Sequence, residues 1–166
     1  MSARPERRRR GALVAATALL LASLPAACQL RCGVQEKIQA LPADPAEQAS
    51  AVVSAEEFLA ALDRGAAAAI YPELSSVLRE ASSETTFQAL VGTIRGTAGA
   101  TISRRLIGAA YTEKLPDVRP GRYFVLEFET KFSKRTLKER VVPRFEDGRW
   151  KVAGYHAFGN FKLVGD

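Results

Sequence analysis

The chain predicts an α+β fold, with amino-terminal helices packed on one face of an antiparallel sheet. Three observations predict it. Residues Phe124, Leu126, Phe128, Thr130 and Phe132 alternate with Val125, Glu127, Glu129 and Lys131, the period of a strand with one buried and one wet face. Glu146-Asp147-Gly148-Arg149 puts Asp-Gly between two such runs, the strongest short-range hairpin signal because both residues tolerate positive φ. Ahead of these strands, apolar side chains recur at helical spacing from Val52 to Ile94. Helices followed by antiparallel strands is the α+β order.

Residues 1–27 read as an export signal. Arg4 and Arg7 to Arg10 form a basic start, Gly11 to Leu24 an apolar stretch, and Ala26-Ala27 a small-residue end. A membrane span needs about 20 apolar residues, so this shorter run predicts a cleaved leader. The leader holds five Arg and one Glu, and the remaining chain carries 19 basic against 17 acidic residues. With the high pI confined to the leader, no clustered basic stripe is left for nucleic acid. Arg9-Arg10-Gly11-Ala12-Leu13 also allows a twin-arginine route.

Both cysteines, Cys28 and Cys32, stand just after the leader. Leu24-Pro25-Ala26-Ala27-Cys28 resembles a bacterial lipobox, with Pro25 where Leu is usual. Lipid attachment at Cys28 would supply two or more acyl chains, enough for firm anchoring where one is marginal. Ordinary cleavage near Ala27 is the alternative. It would leave two free thiols or a small disulfide loop that stabilises little.

Residues 28–43 form a tether and 44–166 one α+β domain, long enough to bury roughly two-thirds of its unfolded surface. Asp44-Pro45-Ala46-Glu47 starts the first helix, with Asp44 as cap and Glu47 completing a capping-box-like pair. Its apolar stripe is Val52, Ala55, Phe58, Leu59 and Leu62, and Gly65 stops it. After the alanine run 66–69, Pro72 opens a second, shorter helix through Leu74, Val77 and Leu78. Ser82-Ser83 caps a third, carrying Phe87, Leu90, Val91 and Ile94 and fraying at Gly96 and Gly99. Thr101 to Tyr111 is the first strand, with Leu115-Pro116 in the loop beyond it.

Catalytic and metal constellations are sparse. His156 is the single histidine, with no nucleophile motif beside it, and reads as a strand-end surface or satisfied core residue. With one His and no cysteine in the domain, neither a zinc site nor a cofactor is predicted. Glu127, Glu129 and Glu139 share strands with Lys131, Lys138, Arg140 and Arg144, which predicts cross-strand ion pairs on a solvated face. Trp150, Phe158 and Phe161 read as core aromatics. Arg95, Arg104 and Arg105 fall outside a simple amphipathic pattern, and surface solvation or pairing with Glu139 accounts for them. Arg95 and Arg104 are expected to tie helix to sheet. Together with Glu139 they are the candidate binding residues.

Phe87, Val91, Arg95, Gly99, Arg104, Leu115-Pro116, Tyr123, Phe128, Phe132, Glu139 and the closing Asp147-Gly148-x-Trp150-x-Val152-x-Gly154-Tyr155 resemble a bacterial family. It is catalogued as domain of unknown function 4019, and the resemblance covers roughly residues 46–157. It implies small exported proteins with a cone-shaped fold of the nuclear-transport-factor-2-like or cystatin-like kind, and no established activity. The family's Asp-x-Gly-x-Tyr before a Trp is represented here by Asp63, Gly65 and Tyr71, without the Trp. The resemblance allows a homodimer through the sheet's outer face, although no residue argues for one.

The expectation is an exported, lipid-anchored envelope protein on the periplasmic side of a membrane. It would act as a non-enzymatic module binding a protein or small ligand with its curved sheet. The competing reading is an enzyme of the cone-shaped type, using Glu127 or Glu129, raised in pKa by burial, as general acid or base on a small apolar substrate.

Overall fold

A computed structural model of the chain describes residues 39–159. The leader, Cys28, Cys32, most of the tether and Phe161 lie outside the described residues. Helix α1 spans Pro45–Asp63, with Asp44 accepting from the amides of Ala46 and Glu47. The expected reciprocal contact from Glu47 is not made, because its carboxylate pairs with Arg122 at the start of the second strand. Arg64 closes the helix, and Gly65 turns the chain with φ +74°.

The second helix departs from expectation. Instead of one segment opened by Pro72 there are three short pieces: α2 (Ala67–Ile70), a 3-10 turn (Tyr71–Glu73) and α3 (Ser76–Ala81). The chain straightens at Leu74 because Ser75 starts a new helix, its hydroxyl accepting from Val77 N while donating to Glu146 at 2.6 Å. Helix α4 (Glu84–Ala98) is capped by Ser83. It runs unbroken through Gly96, ending only at Gly99, whose φ of +85° an L side chain resists. Gly99 is also crowded: a Cβ there would collide with Ser133 Oγ.

Four strands follow, β1 (Thr101–Thr112), β2 (Tyr123–Phe132), β3 (Thr136–Glu146) and β4 (Arg149–Gly159), in an open antiparallel meander ordered β1-β2-β3-β4. Asp147 and Gly148 both take positive φ between β3 and β4, as the Asp-Gly pair predicts. Pro143, without an N–H, sits at an irregularity where Val142 faces Gly154 but Pro143 faces Val152.

The helices cover one face. Helix α1 touches all four strands, and Phe58, Leu59, Leu62, Phe87 and Val91 meet Phe124, Leu126, Phe128, Val141, Trp150 and Tyr155 in one core. Phe124 meets Trp150 edge-on at 5.0 Å, and Phe58 meets Tyr155 at 5.5 Å, the offset geometry that ring quadrupoles favour. Two core assignments fail. Leu90 is exposed on α4, and Phe158 is 47% exposed because its position on β4 points it away from the helices. Among the described residues no helix is long and apolar enough to cross a membrane.

Candidate functional site

On the helix-facing side of β3, Leu137, Glu139 and Val141 share one alternating set, so a carboxylate stands in the hydrophobic row. Glu139 is 0% exposed. Burying a charge is costly unless it is paired and hydrogen-bonded, and four other elements supply the partners. From α4, Arg95 follows Phe87 and Val91 at four-residue steps and reaches Glu139 Oε1 through Nη1 at 2.7 Å. From β1, Arg104 donates Nε and Nη2 to Oε2 at 3.2 and 3.0 Å. The Thr130 hydroxyl from β2 donates to Oε2, and Tyr155 from β4 donates its hydroxyl to Oε1 at 2.8 Å.

Asp63, the last residue of α1, closes the arrangement. Its carboxylate accepts two hydrogen bonds from Arg104 at 3.0 and 3.2 Å and lies 3.2 Å from Arg95 Nε. Two arginines and two acids therefore balance, with side chains 13% (Arg95), 15% (Arg104), 20% (Asp63) and 0% (Glu139) exposed. The Arg95 guanidinium also lies 5.1 Å from the Phe132 ring centroid, a cation–π placement. Among the described residues its Nη2 finds no hydrogen-bond acceptor.

The electrostatics follow from the packing. Burial alone would push the Glu139 carboxyl up, but the Arg95 charge and the Thr130, Arg95 and Tyr155 hydrogen bonds outweigh it and hold the group below the usual range. Burial, and then the Glu139 charge, pushes the Tyr155 hydroxyl well up, so it stays a donor. Arg104 is held above its ordinary value because Asp63 and Glu139 together outweigh its desolvation. An ionised, fully coordinated carboxylate is an anchor, with no proton to give and no lone pair free to take one.

The structure brings Arg95, Arg104 and Glu139 together, one of the two alternatives expected of these arginines, whereas Arg105 stays exposed and pairs with Glu129 instead. It corrects the placement of Glu139, which is buried under the helices and not on a solvated face. Glu127 and Glu129 do lie on the sheet's outer face, 37% and 35% exposed, paired with Arg140 and Arg105 at 2.7 Å. Neither is the buried acid that the enzyme reading needs. His156 is exposed on that same face, opposite Arg140. Sequence reasoning missed Asp63, Thr130 and Tyr155. Thr130 was visible as a polar residue in phase with Phe124, Leu126 and Phe128, whereas Asp63 and Tyr155 stood out only in the family pattern, which assigns them no role.

A second polar knot fastens the other end of the sheet. Glu146 accepts from the Ser75 hydroxyl, the Ser76 amide and Arg144. Desolvation opposes ionisation there, yet the Ser75 and Ser76 hydrogen bonds bring the Glu146 pKa down to about 2. Nearby, a cleft of about 850 Å³ lies between α1 and the β3–β4 hairpin, with Phe58, Leu74 and Trp150 in its lining. No residue of the Glu139 cluster lines it. Among the described residues no group of His, Cys, Asp and Glu could hold a metal ion.

A family model described as Protein of unknown function (DUF4019) matches residues 54–155. That span contains all six cluster residues, from Asp63 to Tyr155. No curated protein and no solved structure matches the chain significantly.

Proposed function

We propose that this chain, which belongs to the DUF4019 family, is an exported envelope protein held to a bilayer through Cys28. It works as a non-enzymatic binding module that presents its sheet to a partner. One observation carries the reading: Glu139, the one buried carboxylate among the described residues, already accepts five hydrogen bonds. A general acid or base must instead reach the reacting atom. The space where a cone-shaped enzyme would hold substrate contains Phe58, Phe87, Phe124 and Phe128. The fold is best taken as a cone of the nuclear-transport-factor-2-like or cystatin-like kind, a reading supported by α1 reaching every strand of one open sheet.

Export and anchoring rest on the leader and on Cys28, and they place the domain on the periplasmic side of a membrane. Mass spectrometry of the native amino terminus, with fractionation of a Cys28→Ala variant, tests this. The expected result is a diacylglyceryl-modified Cys28 and release of the variant into the soluble fraction. A wild type that is soluble with an unmodified cysteine refutes it.

A further inference from the structure

We infer that the half of the sheet's outer face that no described residue covers, centred on Lys131, Lys138 and Phe158, docks an acidic polypeptide segment. The inference rests on the binding-module reading and names the partner's chemistry.

The outer face divides in two. Near the β1–β2 loop, Leu115 and Val118 fold over Tyr123, Val125 and Val142 and bury them. Beyond that cover, strand register defines two rows across the sheet. One runs Arg105, Glu129, Lys138, Phe158; the next runs Gly108, Glu127, Arg140, His156. Lys131 opens a third row, opposite Ser103 and Thr136. Glu129 and Glu127 are taken up by Arg105 and Arg140. Among the described residues neither Lys131 nor Lys138 has an ion-pair partner, so the open half carries unmatched positive charge. Phe158 adds an apolar foothold, directly opposite Lys138, with the Arg140 guanidinium 5.4 Å from its ring centroid and His156 stacked at 6.1 Å.

The charge bias extends through the domain. Residues 39–100, the helical half, hold three basic against eight acidic side chains, while residues 101–159 hold 13 against seven. Part of that surplus meets the helical acids through Arg104–Asp63, Arg119–Glu80, Arg122–Glu47 and Arg149–Glu73, while Lys131 and Lys138 stay outside these pairs. Unmatched charge of this kind steers a complementary partner and suppresses like-charged ones.

Other occupants fit less well. Two copies meeting sheet to sheet would oppose their unmatched lysines. A nucleic-acid backbone calls for a longer basic stripe without interspersed acids. A bilayer gains about 1 kcal/mol per basic residue near its surface, too little from two lysines. The chain also enters the domain at the far end of β1, where Leu41 pairs with Tyr111, about 25 Å along the strand from Ser103.

The test uses the full chain in mild detergent and a fluorescent 20-residue poly-L-glutamate as probe. The expected result is salt-dependent binding that weakens at least tenfold in a Lys131→Glu/Lys138→Glu double variant and several-fold in Phe158→Ala. A Lys114→Glu variant on the β1–β2 loop, which is not part of these rows, should bind as wild type. Absence of binding, or equal loss in Lys114→Glu, overturns the inference. So does binding to phosphatidylglycerol vesicles without binding to the peptide, or a dimer that the double variant dissociates. A photocrosslinker at Ser103 in cells separates this failure from that of the underlying reading. An adduct without peptide binding removes only the acidic partner; neither adduct nor peptide binding removes the binding module as well.

Discussion

Acid stability offers a sharp test of the knot that joins α3 to the end of the sheet. Glu146 has its carboxyl pKa brought from an ordinary 4.5 to about 2 in the folded chain. A depressed folded pKa stabilises above the unfolded value and loses that contribution as pH falls through the folded one. A shift of this size corresponds to about 3 kcal/mol, and screening near the surface reduces the expectation to about 1.5–2 kcal/mol. Other carboxylates titrate in the same window, so the informative quantity is the difference between wild type and Glu146→Gln. Urea unfolding followed by the fluorescence of Trp150, the chain's single tryptophan, gives that difference at each pH. It should be largest above pH 5 and shrink by about 1.5–2 kcal/mol between pH 4.5 and pH 2. Removing one donor with Ser75→Ala should flatten the same slope. A difference that stays constant with pH would show that the carboxylate is not held as the hydrogen bonds imply.

Gly99→Ala should cost about 1–3 kcal/mol, because it forces an L residue to φ +85° and drives its Cβ into Ser133; an unchanged urea midpoint would contradict the turn geometry. Asp63→Asn removes the charge at the most exposed corner of the Glu139 cluster and should cost about 1 kcal/mol. Its loss should be well below that of Glu139→Gln, and the reverse ranking would refute the burial order. Glu129→Gln breaks a pair with the largely exposed Arg105 and should leave the melting temperature within about 2 °C.

Much of the fold was legible because local signals and global packing agree. The Asp147-Gly148 turn, the alternation from Phe124 to Phe132 and the caps at Asp44 and Ser83 each state one structure, and the structure follows them. The segment from Ala66 to Ala81 was misread because Pro72 looks like the start of a helix. What ends that helix is Ser75, whose partner Glu146 lies 71 residues away in sequence and leaves no local trace. Leu90 and Phe158 fit apolar periodicity but meet no opposing layer among the described residues, and periodicity alone cannot report what lies across from a face. Glu139 illustrates the same limit in reverse. Its phase with Leu137 and Val141 marked it as inward-facing, yet neighbouring Lys138 and Arg140 made the whole segment read as solvated. The arginines that neutralise it come from α4 and β1, more than 30 residues earlier, so only the assembled fold shows why an acid is tolerated there.

The central claim is that Glu139 and its two arginines fasten the helices to the sheet. A double-mutant cycle on Arg95→Met and Glu139→Leu, measured by urea unfolding, tests it most directly. Each single change leaves the two-arginine, two-acid cluster with one unmatched charge and should cost about 3 kcal/mol, whereas the double variant restores the balance through Arg104 and Asp63 and should recover at least about 1.5 kcal/mol of their sum. Additive losses would mean that Arg95 and Glu139 do not act on one another, and the clasp would have to be abandoned.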